Sequence, residues 1–260
     1  MTNVRKYGKA PYNVAVIHGG PGAPGSMASA ARELSRHFGA LEPLQSATSV
    51  EGQVAELSGV LKEHGSPPFT LIGHSWGAWL SFIFTARHPE TVRKLILVGS
   101  GPFEERYARG ITETRLARLS AVERREASGI MKAMNGKGGD RDALFARFGA
   151  LMSKADAYDP LPGDDPDAEV FQEDVFESVW KEAAGLRRSG ELLKMGALIR
   201  CPVIAIHGDC DPHPAAGVEG PLLRVVGDFR FVLLEKCGHE PWKERAAKDR
   251  FYDVLMDELS

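Results

Sequence analysis

Hydrophobic positions fall in two patterns along the chain. Short, nearly continuous apolar runs stand at residues 14–17 (Val-Ala-Val-Ile), 69–72 (Phe-Thr-Leu-Ile), 94–98 (Lys-Leu-Ile-Leu-Val), 203–206 (Val-Ile-Ala-Ile) and 229–234 (Phe-Arg-Phe-Val-Leu-Leu). Each ends at or near a glycine-containing turn: His18-Gly-Gly, Gly73-His-Ser, Gly99-Ser-Gly, His207-Gly-Asp and Cys237-Gly-His. Runs that stay apolar on consecutive positions predict strands covered on both faces, hence a parallel sheet. A weaker strand is expected at residues 40–44. Longer segments between the runs carry helical spacing. Helices are predicted over 26–38, over 49–64 with Val50, Val54, Leu57 and Leu61 on one face, over 76–88 with Pro89 as its stop, and over 241–259 with Phe251, Val254, Leu255 and Leu259 aligned. Strand and helix in regular alternation predict an α/β fold with a doubly wound, mostly parallel sheet.

Residues 103–190 break the rhythm. They hold no convincing strand pattern and are rich in Ala, Glu, Arg and Met, with loops at 135–139 (Asn-Gly-Lys-Gly-Gly) and 160–166 (Pro-Leu-Pro-Gly-Asp-Asp-Pro). The expected organisation is a core of 1–102 and 191–260 with 103–190 inserted as a helical lid. Met131, Met134, Phe145, Phe148, Met152 and Trp180 are candidates for its apolar lining. Residues 156–182 contain ten acidic residues and one lysine, read as a solvated face or as a surface that attracts cationic substrates.

Composition narrows the function classes. Lys and Arg number 32 against 35 Asp and Glu, a net charge of −3, which lacks the basic excess of nucleic-acid binders. No run reaches the roughly 18 apolar residues of a membrane span, and the first ten residues lack the apolar stretch of a secretory signal. Three cysteines, Cys201, Cys210 and Cys237, have no metal-ligand spacing; an odd number predicts free thiols in a reducing, cytoplasmic setting. Cys201 is expected to act as a small buried hydrophobe. Cys210 and Cys237, on loops after adjacent strands, are expected to lie close together. Neither cofactor nor metal is implied, the expected partner is a small-molecule substrate, and no oligomeric state is indicated.

The strongest chemical signal is Gly73-His-Ser-Trp-Gly77, a G-x-S-x-G string between a predicted strand and a predicted helix. A serine on such a sharp turn is held with its hydroxyl exposed, above helix N–H groups that suit a developing oxyanion. A serine needs a base and an orienting acid. His239 follows the last strand and Asp211 the one before it, both at the carboxyl ends where α/β folds place their sites. His18 and His207 are read as turn supports, and His74 as pointing away from the hydroxyl. His213, two residues past Asp211, competes with His239 for the base. Asp209 competes with Asp211, but Pro212 restricts Asp211 to extended conformations, which fixes its carboxylate. The glycines of His18-Gly-Gly-Pro-Gly22 allow close backbone approach to a substrate oxygen, so the N–H groups of Gly20 and Trp76 are the candidate oxyanion hole.

With these motifs the chain resembles α/β-hydrolase-fold serine hydrolases over residues 13–100 and 201–260. His-Gly-Gly-Pro-Gly and Ser-Trp-Gly also resemble the proline iminopeptidase branch. Residues 42–48 (Glu-Pro-Leu-Gln-Ser-Ala-Thr) stand where that branch carries Asp-x-Arg-Gly-x-Gly-x-Ser, and the branch's amine-binding glutamates find no match in the insertion. The resemblance implies an acyl-enzyme hydrolase of an ester, thioester or amide, with Ser75, Asp211 and His239 as its triad. The alternatives are an aminopeptidase of the iminopeptidase type and a non-hydrolytic lyase or ligand-binding member of the fold.

Overall fold

A computed structural model of the chain describes residues 3–134, 141–163 and 171–260. The loop expected at 135–139 and the end of the proline-rich loop, 164–166, lie outside the described residues. Strands β1 (Val4–Tyr7), β2 (Tyr12–Ile17), β3 (Gly39–Pro43), β4 (Phe69–His74), β5 (Val92–Val98), β6 (Val203–Gly208) and β7 (Phe229–Leu234) form one sheet in the order β1-β3-β2-β4-β5-β6-β7. The β1–β3 pair is antiparallel and every other pair parallel. Helices α1 (Ala28–Leu34), α2 (Val50–His64) and α3 (Trp76–Arg87) alternate with the first strands. Next come α4 (Glu105–Ala108), α5 (Ile111–Arg118), α6 (Ala121–Met134), α7 (Arg141–Asp156), α8 (Glu173–Ser189) and α9 (Glu191–Lys194). The last two are α10 (Ala216–Leu223) and α11 (Lys248–Leu259).

The continuous apolar runs are explained by two cores, one on each face. Side chains alternate across a strand. Ala15, Ile17, Leu71, Leu95, Leu97, Val203 and Ala205 face a core shared with α2, α3 and α8. Val14, Val16, Ile72, Ile96, Val98, Ile204 and Ile206 face another, shared with α1 and α11. All of β4 and β6 is buried. Helix α2 starts where its cap lies, since Ser49 accepts the Gly52 N–H at 3.0 Å.

The helices between β5 and β6 divide in two. Leu119, Ala127, Ile130, Leu151 and Ala155 make a small core of their own, with Met134, Phe148 and Met152 packed against it. Helix α8 instead sends Val175, Val179 and Ala183 into the main core. Of the candidate lining residues, Met134, Phe148 and Met152 therefore hold helices together, and Met131 lies on the exposed surface. Phe145 and Trp180 belong to an aromatic run: Phe145 stacks on Phe171, Phe176 on Trp180, and Trp180 on Trp79 of α3.

Three elements depart from the sequence-based expectation. Strand β1 was not anticipated; with two charged residues in four it carries no apolar run, and it pairs on one edge only. Helix α10 was not anticipated either; it contains Gly217, Gly220 and Pro221, residues that interrupt a helical pattern. The segment expected as one helix over 241–259 is a 3-10 turn, Pro241–Lys243, and then α11. The break falls at Glu244, whose carboxylate turns inward to accept the backbone N–H groups of Tyr158, Asp159 and Gly238.

Candidate active site

The turn between β4 and α3 places Ser75. Its backbone has φ +54° and ψ −114°, a region that a non-glycine residue occupies only when its surroundings enforce it. The enforcement is visible. The Ser75 N–H donates to the Val98 carbonyl at 3.0 Å, and Ala78 N–H to the Ser75 carbonyl at 3.1 Å. A Cβ at Gly73 would collide with the Gly77 carbonyl, and one at Gly77 with the carbonyls of Ile17 and His18. Both glycines of G-x-S-x-G are thus required by close approach. Trp76, at the first position of α3, has an N–H with no partner inside the helix. Its indole N–H donates to Gln53 Oε1 at 2.7 Å, and the Gln53 amide donates to the Ala47 carbonyl.

Beyond β6 and β7 the loops bring Asp211 and His239 together. His239 Nδ1 lies 2.7 Å from Asp211 Oδ2, and both residues are buried. With Nδ1 as the donor, Nε2 of His239 is left as the basic nitrogen. Burial would raise the Asp211 carboxyl, but His239, His213 and His207 around it hold it well below the usual carboxylate range. Burial would lower His239, and Asp211 outweighs that, so His239 stands above its ordinary 6.5. His74 links this pair to the serine turn: its Nε2–H donates to the His239 carbonyl at 3.1 Å, and the two rings lie 4.7 Å apart. Gly99, next to the Val98 carbonyl that holds Ser75, sits against the same imidazole, since a Cβ there would lie 3.2 Å from His239 Nδ1.

The competing residues take other places. Asp209 Oδ1 accepts the Cys237 N–H at 3.1 Å and ties the β6 loop to the β7 loop. His18 accepts the Gln45 N–H on Nε2 at 3.2 Å and donates from Nδ1 to the Gly19 carbonyl, as a turn support does. His207 donates to the His213 carbonyl at 2.8 Å. Cys210 N–H donates to the Cys237 carbonyl at 2.8 Å, so the two cysteines are neighbours; both thiols are free, and burial pushes both up. Cys201 is buried and pushed up to about 11 by that burial.

Sequence reasoning missed the ties from the helical segment to these loops. His239 N–H donates to the Asp156 carbonyl at 2.9 Å, and Arg115 grips the Asp156 carboxylate at 2.6 and 2.7 Å. Gln172 N–H donates to the Gly22 carbonyl at 2.7 Å in the glycine loop. A cavity of about 380 Å³ opens beside His239, lined among others by Ser153, Asp156, Leu161 and Lys243. Asp211, His213 and His239 each offer a ligand atom within 4.8 Å of the others. Their nitrogen–oxygen pairs are only 2.7 and 2.8 Å apart, which is hydrogen-bond contact and tighter than donors set about 2.0 Å from a shared tetrahedral ion. Among the described residues, no helix is long and apolar enough to cross a membrane.

Solved structures share this architecture. VinJ superposes with a TM-score of 0.71 at 20% identity, covering 98% of this chain and 93% of its own. A proline iminopeptidase from Mycobacterium smegmatis gives 0.63 at 16% identity, with 98% and 93% covered. The thioesterase domain from the curacin biosynthetic pathway gives 0.60 at 17%, with 97% and 94% covered. At these identities the likeness is one of fold. No curated protein was found to match the chain. The alpha/beta hydrolase family model matches residues 16–253, and the chain belongs to that family.

Proposed function

We propose that the protein is a serine hydrolase that cleaves an ester, thioester or amide of a small molecule through an acyl-enzyme. The observation that carries this reading is the 2.7 Å contact of His239 Nδ1 with Asp211, in a loop that His74, the neighbour of a serine held at φ +54°, ties to the serine turn. In this reading Ser75 Oγ attacks the carbonyl carbon while His239 Nε2 takes its proton. Asp211 keeps Nδ1 protonated and stabilises the imidazolium that forms. The N–H groups of Gly20 and Trp76 receive the oxyanion. The tetrahedral intermediate collapses as His239 protonates the leaving group. Water, activated by the same histidine, then releases the acid and restores Ser75. Helices α4 to α8 act as a lid, a reading supported by the hydrogen bonds that join Asp156 to the histidine loop and Gln172 to the glycine loop. Free thiols fit a reducing, cytoplasmic setting.

A fluorophosphonate tests the nucleophile directly. The expected result is a single covalent adduct on Ser75, lost in Ser75→Ala and strongly slowed in His239→Ala. A panel of p-nitrophenyl esters of rising chain length, run beside aminoacyl-naphthylamides, then sorts acyl size and ester against amide. Failure of the folded protein to label would reject an activated serine and favour a binding or lyase role.

A further inference from the structure

Two histidines close on the Asp211 carboxylate, and they divide its oxygens. His239 Nδ1 meets Oδ2 at 2.7 Å. His213 meets Oδ1 twice, through its ring Nδ1 and its backbone N–H, each at 2.8 Å. The two imidazoles stack on each other, with centroids 4.5 Å apart and planes 29° from parallel. His213 is as buried as His239, at 7% exposure each. The loop is shaped for this. Pro212 and Pro214 flank His213, and His207 Nε2 holds the His213 carbonyl at 2.8 Å while lying 3.6 Å from Asp211 Oδ2.

We propose that His213 is a positioning residue for the hydrolytic reaction: as a neutral imidazole it donates Nδ1–H to Asp211 Oδ1, fixes the carboxylate plane so that Oδ2 faces His239, and backs the His239 ring. This rests on the serine-hydrolase reading above. Rotation about the Cβ–Cγ bond swings both carboxylate oxygens together, so holding Oδ1 also holds Oδ2 in front of His239 Nδ1. Two donors on Oδ1 resist that rotation. The donor must be neutral. Asp211 has one negative charge, and the imidazolium formed at His239 needs it. A second cation 4.5 Å away would draw on the same charge and oppose the first. The charged and titratable groups facing His213 are Asp211, His207 and His239 from the β6 and β7 loops and Arg115 from α5. Burial first, then His239 and Arg115, disfavour a proton there, and the group is pushed down to about 4 in spite of Asp211.

The test compares His213→Leu, which fills the volume without a donor, with His213→Asn, whose amide N–H₂ can replace Nδ1–H. Thermal melting and circular dichroism check that both fold. For His213→Leu the expected result is a kcat lower by about 10- to 100-fold, the scale of a misplaced catalytic group, with KM nearly unchanged. Fluorophosphonate labelling of Ser75 slows in proportion. His213→Asn recovers most of the loss. In the proton spectrum, both variants lose the downfield imidazole N–H signal of His213 and keep that of His239. A folded His213→Leu with wild-type kcat and labelling overturns the proposal, as does a loss confined to KM, which would make His213 a substrate contact. An Asn variant as impaired as Leu overturns the hydrogen-bond role. A wild-type protein that does not label overturns the serine-hydrolase reading along with it, whereas a labelled wild type with an unimpaired Leu variant overturns this proposal alone.

Discussion

Glu244 is 1% exposed and accepts three backbone N–H groups: Oε1 takes Tyr158 at 2.7 Å and Gly238 at 3.0 Å, and Oε2 takes Asp159 at 2.8 Å. Two of the donors belong to the segment leaving α7, and the third precedes His239. One side chain thus joins the helical segment to the histidine loop. Glu244→Ala removes all three acceptors and leaves the donors facing a void. A hydrogen bond to a charged group is worth about 1.5–3 kcal/mol, but water entering the gap returns part of that. We therefore expect a loss of about 3–5 kcal/mol, the scale of uncompensated partners in a broken buried network. For a chain of this length each kcal/mol lowers the melting midpoint by about 2–4 °C, so the drop should be about 6–20 °C. Glu244→Gln is the finer probe. With its carbonyl at the Oε1 position it keeps Tyr158 and Gly238 but turns an amide N–H₂ toward the Asp159 N–H. That costs about 1.5–3 kcal/mol, one charge-assisted bond. Differential scanning calorimetry gives both numbers, and hydrogen exchange should show the Tyr158 and Asp159 amides losing protection first. A Glu244→Ala midpoint within about 2 °C of wild type would refute the reasoning, because no plausible water entry hides three lost bonds.

Asp211→Asn should keep the fold yet lower turnover by about four orders of magnitude, as the equivalent change does in serine proteases of another fold; Asp209→Asn should mainly cost stability at the Cys237 N–H and spare kcat, and the reverse pattern in kcat would reassign the acid. Stability should fall as pH drops below 6.5, because burial depresses His18 and His213 to about 4 and His74 well below 6.5, so the unfolded chain takes up protons that the folded chain refuses; a melting midpoint that is flat from pH 7 to 5 would contradict this. His239 has the opposite sign: raised above 6.5, its contribution is full below 6.5 and fades as pH rises through its folded value, and the acid limb of kcat/KM should lie above 6.5 for the same reason. Gly22→Ala should lower both the melting midpoint and kcat, since φ there is +83° and a Cβ would collide with the Gln172 carbonyl that sits on the glycine loop; an unaffected variant would show that the tie at Gln172 is dispensable.

What the sequence made legible was whatever leaves a local pattern. The five apolar runs became β2, β4, β5, β6 and β7 because a strand covered on both faces must be apolar at every position. The serine turn was legible because Gly73 and Gly77, each demanded by close approach, stand within five residues of one another. That Asp211 and His239 would meet was legible from the strand ends they follow, with Pro212 favouring Asp211 over Asp209. Strand β1 was not, since one edge pairing asks little of Arg5 and Lys6. The ties of Glu244, Asp156 and Gln172 were not legible either: each joins a side chain or carbonyl to backbone dozens of residues away and imposes no period. His213 stood between these cases. Its position two residues past the acid was visible, but whether it rivalled His239 or served Asp211 depended on which carboxylate oxygen it faced.

The acidic stretch at 156–182 is solvated at Asp159, Asp174, Glu177 and Glu182, yet several of its carboxylates have partners that the sequence does not show. It was read as a solvated face or as a surface for cationic substrates. The described acids are largely engaged: Asp156 with Arg115, Asp159 with Arg245 at 3.3 Å, Glu173 and Glu177 with Arg141, and Glu182 with the Val50 N–H at 2.8 Å. These contacts hold helices to one another and to α2. At any of these five acids a substrate ammonium would have to displace the partner. At Asp156, which is 8% exposed, freeing the carboxylate strands Arg115 and loosens the segment that holds His239, at a cost of about 3–5 kcal/mol if it behaves as a broken buried pair. A free α-amine gains less than that from one exposed carboxylate, whose pairing is worth about 0–1 kcal/mol. Blocking the amine should therefore leave kcat/KM nearly unchanged. The comparison is an aminoacyl-naphthylamide against its N-acetylated form, or the matching pair of esters if amides are not turned over. A preference of about tenfold or more for the free amine, equivalent to 1.4 kcal/mol, would show that an acidic group does serve the substrate and would restore the aminopeptidase reading.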